Sequence, residues 1–325
     1  MRSTEYVVRR IAFAFATIFV AVTLNFVIFR AAPGDATTAL RCLSCTDEVR
    51  LQVRQELGLD KSKFQQYVIY LKDLAHGDFG RSFQNRQPVL PQLWQPLKNT
   101  LPMLVLGTLF SIVFGLITGV VAAWRRGTLV EKLSVWFGLA FFSLPTQWLA
   151  IMLILYAAGP LGLPTNGISD PYLSFSNPSL WAEFTDRLSH MVLPSLTIGL
   201  VLYGEYTLIT RSALLETFGE DYVLTARAKG LAEPRVVAKH TLRNSAIPIV
   251  TLAGLEIGQL LGGAVITETI FAWPGFGRLT VQALLNRDFP VVLAAVFVIS
   301  ATYTVINLLV DILYGWLDPR VRLRA

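Results

Sequence analysis

Four carboxylic acids stand inside long apolar stretches of this sequence: Glu205, Glu256, Glu268 and Asp311. An ionisable group at membrane depth is costly unless it is paired or faces water, so each is a candidate for a solute pathway or a proton carrier. Glu268 and Asp311 fall near the ends of their stretches, where structural pairing or a wet rim accounts for them. Glu205 and Glu256 lie deeper, and a water-filled cavity and a pairing role stand equally open. Gln259 joins Glu205, Glu256 and Glu268 as a candidate pathway residue. Two acids facing each other would suit an intramembrane protease, but nothing in their spacing brings two together.

Other chemistry is thinly supplied. Cys42 and Cys45, the two cysteines of the chain, are spaced C-x-x-C. A thioredoxin-like redox pair would need a surrounding βαβ pattern, and a zinc site would need two more ligands than the scattered His76, His190 and His240 provide. A local disulfide on an oxidising side is the reading that remains. The phosphate cradle G-x-x-x-x-G-K-[ST], the G-x-S-x-G elbow and H-E-x-x-H are all missing. The chain is therefore expected to be no enzyme, to use no cofactor, and to take its energy from other subunits.

The elements that must position these acids follow from composition. Of 325 residues 53% are hydrophobic and 15% charged, which points to a membrane class. A bilayer core of about 30 Å needs roughly 20 apolar residues of helix. Six stretches qualify, near 7–29, 101–124, 133–158, 191–210, 247–271 and 289–316. The run from Ile11 to Phe29 outlasts a signal-peptide core, so the first is expected to be a retained helix. The formal charge of +6 sits largely between the apolar stretches, at Arg125, Arg126, Lys132, the cluster from Arg211 to Arg243, and Arg320, Arg322 and Arg324. The positive-inside rule then places both termini in the cytoplasm and explains the charge without nucleic acid.

Small residues recur every four positions at Gly107, Ser111, Gly115 and Gly119, and again at Gly254, Gly258 and Gly262, giving faces that let another helix approach closely. After the first span an outer segment begins at Pro33-Gly34-Asp35. Two short amphipathic helices are expected in it, Asp47 to Leu57 and Phe64 to Leu74, covering the mouth of the bundle. Between the fourth and fifth spans lies a cytoplasmic loop, 218–244. There Asp221 is expected to cap a helix from Tyr222 to Lys229, Gly230 to end it, and Pro234 to open a second one. Its ends are tethered to two spans, which favours docking to a cytoplasmic protein over DNA.

That loop, Asp221-Tyr222-Val223-Leu224-Thr225-Ala226-Arg227-Ala228-Lys229-Gly230-Leu231 followed by His240-Thr241-Leu242-Arg243-Asn244 and Ile247-Pro248, resembles the permease subunits of peptide ABC importers. The match is to the first permease of oligopeptide and dipeptide systems, a type shared with nickel uptake. Further blocks are Pro33-Gly34-Asp35, Leu57-Gly58-Leu59-Asp60, Gln66-Tyr67, Gly77-Asp78-Phe79-Gly80, Glu268-Thr269-Ile270-Phe271, Trp273-Pro274-Gly275-Phe276-Gly277, Arg287-Asp288-Phe289-Pro290, Asp311-Ile312-Leu313-Tyr314 and Asp318-Pro319-Arg320. Two departures are the insert around Cys42 and Cys45, and Leu224-Thr225-Ala226 where broader importers carry Glu-Ala-Ala.

The resemblance implies an all-α membrane protein with six transmembrane helices in the type I ABC importer permease fold, in the cell membrane. Its parts would be a first helix and extracytoplasmic segment (1–98), a permease core (99–318) and a cytoplasmic tail (319–325). It implies a sister permease, two ATPase subunits and an extracytoplasmic substrate-binding protein as partners, besides the lipid bilayer. Tyr222, Thr225, Ala226, Ala228, Gly230 and Leu231 would couple to the ATPases. Nickel and glutathione importers look similar at this level. An ion-driven secondary transporter, the alternative from another class, would show an inverted repeat, and none is visible between the halves. A bridge closing so short a loop removes little chain entropy, so the Cys42–Cys45 disulfide should be dispensable for folding. Alkylation of the native protein followed by mass spectrometry should find both thiols protected until reduction, and two free thiols would contradict the reading.

Overall fold

The computed structural model describes residues 3–31, 60–176 and 178–317. Cys42, Cys45, the helix expected at Asp47 to Leu57 and the tail 319–325 lie outside the described residues. Within them the chain is helical, with no strand beyond an isolated bridge between Arg81 and Pro88.

Helix α1 (Ser3–Ala31) is followed by α2 (Lys63–Ala75), α3 (Val89–Trp124), α4 (Leu129–Ser143), α5 (Thr146–Leu153), α6 (Leu180–Phe218), α7 (Asp221–Ala228), α8 (Ala246–Gly263), α9 (Val265–Ile270), α10 (Phe276–Leu285) and α11 (Phe289–Leu317). Four of these, α1, α3, α6 and α11, are long and apolar enough to cross a membrane. A fifth crossing arises if α4 and the stretch Thr146–Leu161 count as one span bent by 102°. The break falls at Pro145, whose ring blocks the preceding residue from helical geometry and whose nitrogen has no proton to donate. The span expected over 247–271 is also interrupted: α8 stops at Gly263, just past the Gly262-Gly263 pair, and α9 resumes at Val265. The expected boundary at 98/99 falls inside α3.

Packing centres on α3 against α6, and the small residues explain how close the two lie. A side chain added at Gly107 would meet the Ser195 carbonyl at 2.8 Å, one at Gly119 would meet Thr210 Cβ at 2.6 Å, and one at Gly115 would overlap Tyr206 Cβ. Helix α6 reciprocates: Gly199 faces Phe110, and Gly204 lies against the Gly138 carbonyl of α4. Without a hydrophobic force between helices in lipid, such backbone proximity supplies the attraction. Gly254 does the same for α8 against Val310 of α11.

Helix α1 runs antiparallel to α11. Arg10 forms an ion pair with Asp311 at 3.1 Å near one end, and Asn25 Nδ2 donates to the Leu293 carbonyl at 3.1 Å near the other. Helix α2 begins with a capping box in which Ser62 and Gln65 bond each other's backbone. It leans on α1 through Tyr67 and Tyr70 against Phe26, and the Thr23 and Tyr67 hydroxyls are 2.7 Å apart. It thus covers the flank of α1, where the apolar ring faces find a partner, and not the mouth of the bundle.

Gly115→Val should lower stability by about 1–3 kcal/mol through overpacking. Gly159→Ala, where no atom lies within 4 Å of the new group, should not. Thermal unfolding of the two variants in one detergent checks this, and equal melting temperatures would contradict it.

Candidate functional site

Glu205 on α6 and Glu256 on α8 come together. Their carboxyl groups lie within reach of each other's charge, and both side chains remain half-buried. Glu205 stands thirteen residues from the end of α6 and Glu256 ten from the start of α8, roughly 20 and 15 Å along their helices at 1.5 Å per residue. Their neighbour Tyr206 is buried with Met103, Leu202, Ile249 and Leu252, and its hydroxyl has no hydrogen-bond partner. The two acids that the sequence left open thus share the interface between α6 and α8, each partly exposed. Gln259 lies on α8 with its side chain outside the described residues.

Glu268, grouped with the pathway candidates on sequence, has a different surrounding. It is fully buried. Its carboxylate accepts Thr100 Oγ1 at 2.6 Å and the Arg278 N–H at 2.7 Å, with the Gly277 N–H as a further donor. Gly277 and Arg278 open α10, so the carboxylate caps a helix start from outside, where unpaired amides and the helix dipole both favour an anion. Thr100 completes the knot by accepting the Phe276 N–H at 2.8 Å. Asn99 adds two bonds, from its Nδ2 to the Pro274 carbonyl and from Trp273 Nε1 to its own carbonyl. A side chain at Gly275 would collide with the Glu268 carboxylate, and one at Gly277 would meet Val265 Cγ2 at 2.8 Å. The glycines of Trp273-Pro274-Gly275-Phe276-Gly277 are therefore the space that Glu268 occupies.

Asp288 acts likewise between α10 and α11. It is buried, accepts the Phe83 N–H at 2.9 Å and bonds the Ser82 hydroxyl, while its carbonyl starts α11. Phe83 meets Phe289 edge-on and Phe79 packs on Phe297, so the blocks around Gly77–Gly80 and Arg287–Pro290 are two halves of one contact. At the other end of the bundle Glu131 accepts Arg211 Nε at 3.0 Å and the Gly127 N–H at 2.6 Å. The Arg211 guanidinium and that amide together answer its charge. Sequence reading missed Asn99, Thr100, Ser82 and Arg211, since each is an ordinary polar residue without a local pattern. The acids they serve were visible only as costs.

The loop 218–244 forms a small unit of its own. Helix α7 starts at Asp221, with Glu220 before it and no side-chain cap, so Asp221 is a first-turn acid and not the capping residue. Gly230 takes φ +75° at the turn, a left-handed conformation that glycine adopts without strain. Pro234 follows in a three-residue helix that runs into a π-helical turn, Val236–Thr241. Val223, Ala226 and Val236 form the buried centre, with Phe218 and Leu231 against it. Arg227 lies over the Phe218 ring and pairs with Glu233 at 2.7 Å. Ala226 and Leu231, expected on a partner-facing surface, thus face the loop's own core. The outward face carries Tyr222 (41% exposed), Leu224 (51% exposed), Thr225 and Ala228. Thr217 and Ser245 hydroxyls, 2.8 Å apart, tie the loop's two ends together.

Comparison with known proteins adds the following. Residues 111–323 match the family "Binding-protein-dependent transport system inner membrane component", and residues 3–104 match its N-terminal companion. The dipeptide transport system permease protein DppB of Escherichia coli (strain K12) is 38% identical over 334 residues, covering 98% of both chains. The glutathione transport system permease protein GsiC of Escherichia coli (strain K12) is 35% identical over 319 residues, covering 98% of this chain and 99% of the other. Among solved structures, the inward-facing MetNI methionine ABC transporter contains a chain with the same fold, with TM-score 0.51, 19% identity, and coverage of 70% of this chain and 99% of that one.

Glu268→Ala should cost about 2–3 kcal/mol, because a buried hydroxyl and two amides lose a charged acceptor. Glu268→Gln, which keeps one oxygen, should cost less. Denaturant unfolding in detergent measures both, and an unchanged Glu268→Ala protein would contradict the capping role.

Proposed function

The chain belongs to the family of binding-protein-dependent transport system inner membrane components, and from that membership we propose that it is the first permease subunit of an ATP-driven importer for dipeptides or short oligopeptides. The observation that carries the reading is collinear identity to a dipeptide permease over 98% of both chains. Glutathione import is the second reading, since the glutathione permease is nearly as similar at 35%. The facing acids Glu205 and Glu256 meet the bare geometric condition for an intramembrane protease, but family membership assigns the chain to transport.

In this reading the chain crosses the membrane six times with both termini in the cytoplasm, α8 and α9 together making the fifth crossing. The distribution of Arg and Lys supports that orientation. The parts 1–98, 99–318 and 319–325 serve as outer segment with first helix, permease core and tail. A sister permease forms the other half of the pathway, an extracytoplasmic binding protein delivers the solute, and two ATPase subunits hydrolyse ATP. The chain itself is non-catalytic. Its half of the pathway is lined by Glu205, Glu256 and Gln259, while Glu268 holds the outer helices in place. Coupling runs through the loop 218–244. The exposed residues Tyr222, Thr225 and Ala228, with Leu224, meet an ATPase groove; Ala226, Gly230 and Leu231 keep the presenting helix rigid. A short rigid helix seated in a groove transmits a push because its ends are fixed to α6 and α8.

Vesicles holding the complete complex should accumulate labelled dipeptides in an ATP-dependent and binding-protein-dependent manner. Uptake of glutathione without any dipeptide would replace the first reading with the second. Thr225→Trp, on the outward face, should leave the permease in the membrane but prevent co-purification of the ATPases. Ala226→Trp should instead disrupt the loop itself, seen as new protease sensitivity between 218 and 244. Normal assembly and uptake by Thr225→Trp would remove this face from the coupling.

A further inference from the structure

Helix α2 spends only part of its apolar surface inside the chain. Tyr67 and Tyr70 turn toward α1, their rings 5.3 and 5.5 Å from that of Phe26, with the Tyr67 hydroxyl 2.7 Å from the Thr23 hydroxyl. A second stripe, Phe64, Val68, Leu71 and Ala75, follows the i, i+4, i+7, i+11 spacing of one helix face. Phe64 is 74% and Val68 48% exposed. The remaining face carries Gln65, Lys72 and Asp73, all exposed. The helix therefore has three faces, one seated on α1, one apolar and exposed, and one polar.

The level of the helix decides what the exposed stripe meets. Thr23 lies five residues and Phe26 two before Ile28, where the apolar span of α1 ends, so α2 crosses α1 about 3 to 8 Å inside that end at 1.5 Å per residue. The chain leaving α2 goes deeper. Phe79 packs on Phe297 with ring centroids 5.4 Å apart, and Phe297 stands eight residues, about 12 Å, inside the start of the α11 span at Phe289. The row of α1 that α2 touches is itself apolar and exposed on either side of the contact, at Phe19 and Val27, four residues before and after Thr23. The stripe of α2 thus continues a face of α1 that lies within the span.

We propose that α2 is an interfacial helix whose partner is the phospholipid leaflet: Phe64, Val68, Leu71 and Ala75 enter the acyl region beside α1, and Gln65, Lys72 and Asp73 face headgroups and water. A soluble protein would need this stripe above the bilayer, whereas both spans beside it end farther out than the contacts it makes. Lys72, one turn after Val68, borders the stripe, and its long stem lets the ammonium reach the phosphates while the methylenes stay in hydrocarbon. Tyr67 and Tyr70 stand where amphipathic rings gather in membrane proteins. The proposal needs α1 and α11 to cross the membrane and is independent of the solute.

The assembled complex in phospholipid nanodiscs, in a background with Cys42 and Cys45 changed to Ser, tests this with nitroxide labels. All four labelled positions are exposed, so the label displaces no packed side chain. At F64C and V68C, collisions with molecular oxygen, which concentrates in lipid, should exceed those with a water-soluble nickel chelate by about threefold or more, and at Q65C and D73C the order should reverse. Dominant nickel collisions at 64 and 68 would show a wet stripe and overturn the proposal. Weak collisions with both reagents there would show a protein cover and overturn it equally. The unlabelled chain gives a second reading: a photoreactive probe carried on lipid acyl chains should tag the tryptic peptide between Lys63 and Lys72. Tagging confined to α1 would contradict the proposal.

Discussion

A carboxylate taken out of water must be neutralised where it stands, and the bundle is arranged around three solutions to that problem. Asp311 draws α1 onto α11 through Arg10. Asp288 draws the outer segment onto the start of α11. Glu268 locks α10 and the α9–α10 turn against α3 by taking up amides that would otherwise be orphaned. In each case an expensive group and an unsatisfied one cancel each other, and a helix end is fixed as the by-product. Glu205 and Glu256 depart from this pattern: among the described residues neither is ion-paired with a Lys, Arg or His.

The same packing that closes the bundle sets up that pair. Gly115 presents no side chain to Tyr206, which lets α6 lie against α3 with Tyr206 packed in one cluster with Ile249 and Leu252 of α8. Gly254 does the same on the far side, seating α8 on Val310 of α11. Filling either glycine would shift the helix that carries an acid, so steric space at one interface governs electrostatics at the next. At the loop end of the bundle, Glu131 ties the α3–α4 turn to Arg211, and Ser245 bonds the Ala213 carbonyl of α6. The outward face of α7 is thereby carried by a frame bonded to α6 and to the start of α8, the two helices that hold Glu205 and Glu256.

Much of this was legible in the sequence, for reasons that differ by feature. The long apolar runs gave α1, α3, α6 and α11 directly, since length in hydrocarbon is a composition property. The bend at Pro145 and the break after Gly263 escaped the apolar count, because hydropathy averages over a proline or a glycine pair. The small-residue face of α3 and the turn at Gly230 were readable from spacing and residue type. The orientation of Ala226 was not: a small residue on a short helix permits either a partner or its own loop core, and Val236, ten residues on, decides it. Glu268 was visible as a cost with structural pairing or a wet rim as its reading, but its answering groups, Thr100 and the amides of Gly277 and Arg278, come from tertiary contact and could not be named. The approach of Glu205 and Glu256, on helices joined through the loop 218–244, had no local signature at all.

In the proposed function Glu205 and Glu256 line the solute pathway, while a packed position such as Ser111 stays closed to it. Single-cysteine variants at Glu205, Glu256 and Ser111, in a background with Cys42 and Cys45 changed to Ser, would be treated in the assembled complex with a water-soluble thiol reagent. Ser111 is fully buried between α3 and α6 and serves as the closed reference. Labelling at 205 and 256 that changes when ATP is added, with position 111 inert, is the predicted result. Inert thiols at 205 and 256, or labelling at 111 as fast as at either acid, would contradict the account.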